Sequence, residues 1–174
     1  MSHQYCFGID LMIDPLWCAW FSGLVDGEGS FLIAHNKPTP TRQGHFWPYL
    51  QLKFRMDDLP ILEEIQATLH CGKLNKFSYG FARNRGGKDA DQYGLYFQGN
   101  SNLMHIIIPL LDQFPLKTKK KNDYAIWREC VCFIHQQQSG SKNSEVLLSF
   151  KQRMEDARRP KSATFDEENK PNGS

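Results

Sequence analysis

The sequence predicts an α+β domain whose elements run αββαββα, followed by further C-terminal helices. Three observations predict it. Residues 15–28 are apolar almost all the way round and carry Ala19, Gly23 and Gly27 four apart, the pattern of a buried helix with one bare stripe. Residues 49–56 alternate, with Leu50, Leu52, Phe54 and Met56 against Tyr49, Gln51, Lys53 and Arg55, as in a strand with one buried face. The succession strand, strand, helix then appears a second time. With 174 residues, 40% of them hydrophobic, the chain has the means for one compact domain over residues 1–157. Residues 158–174, rich in Pro, Lys, Glu, Asn and Ser, read as a disordered tail.

The elements follow in order. Residues 1–13 are expected to be an arm packed on the domain. Asp14 suits an N-cap and Pro15 the first helical position. Each glycine inside the first helix costs about 1 kcal/mol against alanine, so two of them need a packing reason. A stripe without side chains lets a second helix backbone approach closely. Leu16, Trp17, Phe21 and Leu24 are expected to face the core, and Gly29 to stop the helix. Residues 30–36 read as a strand with Phe31, Ile33 and His35 on one side. A loop over 37–45 precedes the strand at 49–56. Asp58 is expected to cap a helix over 59–69 with Leu62, Ile65 and Leu69 inward. Strands from Lys73 to about Arg83 and from Gln92 to Gln98 follow, joined by a tip holding Arg83, Arg85 and Lys88. Ser101 or Asn102 is expected to cap a helix reaching about Gln113. Two more helices, about 120–137 and 144–157, close the domain.

Charge is unevenly distributed. Residues 1–30 hold four acids and no Lys or Arg, whereas residues 31–125 hold thirteen basic residues and eight acids. An acidic head before a basic middle suits a protein that holds a metal in one place and a polyanion in another, though ordinary solvated charge gives the same sums. Asp26 and Glu28 fall at the C-terminal end of the first helix, where the dipole already disfavours them, so that end invites a cation. If the glycine stripe pairs with its own copy, two such carboxylates meet and suit Mg²⁺. Lys117, Lys119, Lys120 and Lys121 crowd the start of a later helix, again against the dipole. The Gln, Lys and Arg side of residues 49–56 has the groups that pair with base edges and neutralise phosphate. Strand parity and the basic tip nominate Asn36, Gln51, Lys53, Asn75, Arg83, Arg85 and Gln92 for such contacts. The five cysteines are scattered and odd in number, which suits reduced thiols in an intracellular protein. Cys130, Cys132 and His135 have poor spacing for zinc and read as core packing. No run is apolar enough to span a membrane, and no signal-peptide pattern opens the chain.

The stretch Phe21-Ser-Gly-Leu-Val-Asp-Gly-Glu-Gly-Ser30 resembles the LAGLIDADG motif of homing endonucleases, and the downstream elements agree over roughly residues 14–157. One copy of the motif implies the homodimeric branch of that family. The resemblance implies a saddle-shaped antiparallel sheet on DNA, with Ala19, Gly23 and Gly27 at the dimer axis. It implies an intron-encoded, metal-dependent enzyme, with Mg²⁺ or Mn²⁺, that hydrolyses one phosphodiester in each strand of double-stranded DNA. Glu28 then stands at the motif's last acid as a metal ligand, where Asp is usual, and the Gly27 carbonyl as a second ligand. Asp26 matches the first acid, mostly structural in the family. Lys119 aligns with the family's active-site lysine, with Lys117 and Lys120 as close rivals. Arg55 stands in for a polar residue at the end of the second strand, because no Gln falls in register. A strand of eight residues covers roughly 27 Å and DNA rises about 3.4 Å per pair, so one protomer reads roughly eight to ten pairs of a pseudo-palindromic site.

Three readings compete: a dimeric site-specific endonuclease, an RNA maturase that aids intron splicing on the same fold, and a DNA-binding regulator without cleavage. Glu28 and Lys119 count against the regulator, which needs neither. No additional basic face favours the maturase.

Overall fold

The computed structural model describes residues 13–36, 39–41, 44–77, 92–137 and 144–158. The elements are α1 (Pro15–Glu28), β1 (Gly29–Asn36), β2 (His45–Arg55), α2 (Leu59–Leu69), β3 (Lys73–Phe77) and β4 (Gln92–Phe97). They continue with α3, α4 (Lys120–Gln136) and α5 (Ser144–Arg158). Helix α3 is built from the consecutive segments Asn100–Asn102, Leu103–Ile107 and Ile108–Gln113, the middle one a π-helical turn. The strands form one antiparallel sheet in the order β1-β2-β4-β3. This is the α+β architecture the sequence predicts.

All the helices that contact the sheet lie on one side of it. The inward residues of the strands, among them Phe31, Leu50, Leu52, Leu95 and Phe97, meet Phe21 and Val25 of α1, Leu62, Ile65 and Leu69 of α2, and Trp127 of α4. Among the described residues no helix covers the other side of the sheet. Arg158 ties the last helix to the domain, bonding the Asp123 carboxylate at 2.7 Å and the Phe31 carbonyl at 2.5 Å. Among the described residues no helix is long and apolar enough to cross a membrane.

Several local expectations are corrected. Strand β2 begins four residues earlier than the alternation indicated and runs through Pro48. That is permitted because β4 pairs with β2 only from Leu50 onward, so no ladder bond is lost on that side. Met56 leaves the strand for a 3₁₀ turn, Met56–Asp58, and is exposed. Asp58 occupies the N-cap of α2 but its side chain makes no capping bond. Helix α3 starts after Gly99, at φ 87°, so neither Ser101 nor Asn102 caps it. Gly29 ends α1 in extended, not left-handed, backbone. Its requirement for glycine is one of space: a Cβ there would sit 2.6 Å from the Val25 carbonyl oxygen. Cys130 is fully buried, and burial pushes its thiol up to about 12, as expected of a packing cysteine. The expectations for the arm, the tip with Arg83, Arg85 and Lys88, and the tail beyond Arg158 fall outside the described residues.

Candidate functional site

The end of α1 is where chain-distant groups converge. Asp14 caps the start of the helix by accepting from the Leu16 amide at 2.9 Å. Cys18, Phe21, Ser22 and Val25 face inward, and the Ser22 hydroxyl donates to the Phe114 carbonyl at 2.5 Å. One turn later Asp26 holds the segment that leads into α4. Its carboxylate accepts from the Lys117 amide at 2.8 Å, the Thr118 amide at 2.9 Å and the Thr118 hydroxyl at 2.6 Å. Burial alone would raise the Asp26 pKa. The Thr118 hydroxyl, these two amides and the Lys120 ammonium outweigh it and hold the carboxyl below its ordinary range.

Fastening that segment brings one lysine to the helix end. The Lys120 ammonium donates to the carbonyl oxygens of Val25 and Gly27, at 3.0 Å each. Burial is the largest influence on it and lowers its pKa, while the charges of Asp26, Glu28 and Asp123 act the other way. Part of the positive charge that the wrong-sign acids call for is therefore supplied, in this chain, by Lys120. Lys119 takes the N-cap position of α4 and is exposed, as is Lys117. The family resemblance aligns Lys119 with the active-site lysine, whereas the lysine whose ammonium reaches the α1 carbonyls is its neighbour Lys120. Glu28 is exposed and has no described hydrogen bond. The donors at this end, the Glu28 carboxylate and the Gly27 carbonyl, are oxygens, the set that hard divalent ions prefer. Both oxygens of Asp26 are already engaged.

Register connects this end to the open side of the sheet. Gly29 lies opposite Leu52, so the acids of the α1–β1 junction share an end of the sheet with Lys53 and Arg55. Arg55 is exposed and pairs loosely with Asp57 at 3.6 Å. Lys53, Arg55, Asn75 and Gln92 all lie on the open face, while Asn36 stands at the far end of β1 opposite His45. The described strands contain no Asp or Glu. Gln51 is on the same face but only 8% exposed, and its amide donates to the Tyr96 hydroxyl at 2.7 Å.

The outer face of α1 is the third component. Ala19, Gly23 and Gly27 are exposed, and a Cβ at either glycine would meet nothing within 4 Å. Leu16, expected in the core, is instead 78% exposed beside this stripe, and Trp20 is 41% exposed. Gly23 also borders a cleft of about 230 Å³ between α1 and the Gln113–Lys117 segment.

A family model described as "LAGLIDADG endonuclease" matches residues 21–131, more than half of the chain. The chain belongs to the LAGLIDADG endonuclease family. No curated protein sequence matches. Among solved structures, I-SmaMI bound to uncleaved DNA target in the presence of calcium ions is 18% identical, with a TM-score of 0.67 over 80% of this chain and 45% of that one. I-GzeII in complex with its DNA target is 22% identical, with a TM-score of 0.61 over 81% of this chain and 43% of that one. I-AabMI bound to uncleaved DNA is 23% identical, with a TM-score of 0.60 over 77% and 43%. At these identities the likeness shows the LAGLIDADG fold. The chain spans less than half the length of each of these solved chains.

Proposed function

We propose that this LAGLIDADG chain is a site-specific, homodimeric homing endonuclease that cuts both strands of a long pseudo-palindromic DNA site with Mg²⁺ or Mn²⁺. The observation that carries this reading is the end of α1, where Glu28, the Gly27 carbonyl and the Lys120 ammonium meet at the foot of an exposed ridge without side chains. Two copies joined along Ala19, Gly23 and Gly27 bring two such ends together. The proteins of similar fold are about twice as long, which suits a second copy of this chain in place of a second half. Their DNA complexes support duplex DNA as the partner.

Each residue then has a distinct role. Glu28 and the Gly27 carbonyl, which also accepts from the Lys120 ammonium, would hold the divalent ion, and a second protomer would supply the matching pair. A divalent ion bound there would supply Lewis-acid stabilisation of charge on the phosphate. Lys120 neutralises charge beside the scissile phosphate, and Asp26 is a positioning residue that keeps Lys120 there through the Lys117–Thr118 turn. Lys119 and Arg55 contact flanking phosphates. Lys53, Asn75, Gln92 and Asn36, together with Arg83 and Arg85 outside the described residues, bind along the half-site.

The test is cleavage of a plasmid library carrying randomised sites, with Mg²⁺ or Mn²⁺, by wild type and by Glu28→Gln. Wild type is expected to cut with short 3′ overhangs, and the variant to bind without cutting. Equal cutting by both would remove Glu28 from the mechanism.

A further inference from the structure

Rings run across the open sheet face, from Tyr49 in the middle of β2 through Tyr96 on β4 to Phe77 at the end of the edge strand β3. Tyr96 lies opposite Gln51 and Lys73 in register, Gly94 opposite Lys53 and Asn75, and Phe77 opposite Gln92, all on the open side. Tyr49 and Tyr96 have ring centroids 5.8 Å apart, and Phe77 and Tyr96 6.0 Å. Gly94 is what lets these rings lie down: a Cβ there would come 2.8 Å from Phe77 Cε2 and 3.0 Å from Tyr96 Cε2. The Lys53 ammonium, on the row between Tyr96 and Phe77, stands 4.8 Å over the Phe77 ring. Gln51, which by parity is a base reader, is instead covered, with its amide given to the Tyr96 hydroxyl.

From this arrangement we infer that the middle of each DNA half-site is read through thymine methyl groups, which rest on the floor formed by Tyr49, Phe77 and Tyr96. This rests on the duplex-DNA reading above. In the major groove the C5 methyl of thymine is the apolar group on a base edge, and hydrogen-bond readers distinguish the rest. An apolar floor flanked by Lys53 and Asn75 matches a methyl group in the middle and polar edges beside it. Gln51 acts as a positioning residue that fixes the tilt of Tyr96. The absence of acids from the described strands suits the close approach of a polyanion. Stacking of unpaired bases is the other known use of rings on a sheet. It is disfavoured because neighbouring rings lean on one another at 44° and 50°, instead of standing open and parallel.

The experiment measures binding of the full chain, in EDTA, to the duplex recovered from a randomised library, and then replaces its thymines by deoxyuridine one at a time. Central thymines are expected, each losing about fourfold in affinity as deoxyuridine, the worth of one buried methyl group. Thymines outside the centre are expected to be indifferent. Phe77→Ala is expected to abolish the deoxyuridine effect while keeping the salt dependence of binding, and the deoxyuridine series needs no variant at all. Specific duplex binding without central thymines, or with no deoxyuridine effect, overturns the inference and leaves the DNA reading standing. Tighter binding to single-stranded oligonucleotides overturns it in favour of stacking. No specific duplex binding under any condition overturns both.

Discussion

Replacing Gly23 and Gly27 together by alanine separates what α1 needs as a helix from what it needs as an interface. Within one protomer neither new methyl group meets an atom within 4 Å. The protomer therefore feels only helix propensity, about 0.8–1.0 kcal/mol in favour of alanine at an interior position. Gly27 lies in the last turn and gains less, so the protomer is stabilised by roughly 1–1.5 kcal/mol in total. The assembly feels the opposite. A seam that is bare so that two helix backbones can touch receives four extra methyl groups per dimer. At about 1 kcal/mol each, the lower end for overpacking, the dimer weakens by about 4 kcal/mol, or roughly a thousandfold in Kd. Sedimentation velocity over a dilution series reads the second effect, and thermal unfolding at a concentration where wild type is already monomeric reads the first. A double variant that dimerises as tightly as wild type refutes the seam. A double variant that also melts below the wild-type monomer refutes the exposure of the stripe.

Further predictions concern the groups below that seam. Asp26→Ala strands the Lys117 and Thr118 amides and the Thr118 hydroxyl, and is expected to cost about 2 kcal/mol, within the range for hydrogen bonds to a charged group. For a chain of this size that is roughly 4–8 °C in Tm at matched protein concentration. Because the folded-state pKa of Asp26 is lowered, its stabilisation is complete above the ordinary carboxylate range and is lost as pH falls through the depressed value. The advantage of wild type over Asp26→Asn should therefore be constant near neutrality and shrink in acid, and a gap that persists at low pH contradicts it. Lys120→Met is expected to lower the cleavage rate by about 10²–10³-fold, as loss of one fixed charge-stabilising donor does. Lys119→Met should keep cleavage and lower the salt slope of DNA binding by about one. The reverse pattern in single-turnover cleavage and salt titration would return the active-site role to Lys119.

Much of this fold was legible because its signals are local. The alternation over residues 49–56 has one phase only, so it identifies the body of the strand and the inward side of Leu50 and Leu52, though neither the start of β2 at His45 nor the departure of Met56. Asp14 and Pro15 mark a helix start through the geometry of a single turn, and Leu62, Ile65 and Leu69 lie one helical repeat apart. The outward face of α1 was not legible in the same way. Its sequence is apolar on every side, so periodicity offers no contrast, and Leu16 was placed in the core although it is 78% exposed. The alternation starts at Tyr49, yet β2 runs back through Pro48 to His45, where only β1 pairs with it.

The amino-acid sequence by itself determined the order of elements, the polar and apolar sides of the sheet, and the collection of chemistry at Asp26, Gly27, Glu28 and the lysine run. Each of those depends on neighbours within a few residues. The tertiary structure alone decided which lysine reaches the α1 carbonyls, and that Gln51 is engaged with Tyr96 while Gly94 leaves room for the rings. The lysine contacts join residues 93 and 95 positions apart and the Gln51–Tyr96 contact residues 45 apart, and Gly94 meets Phe77 only across the pairing of β3 with β4, so each depends on the Thr118 turn fastened by Asp26 or on strand register.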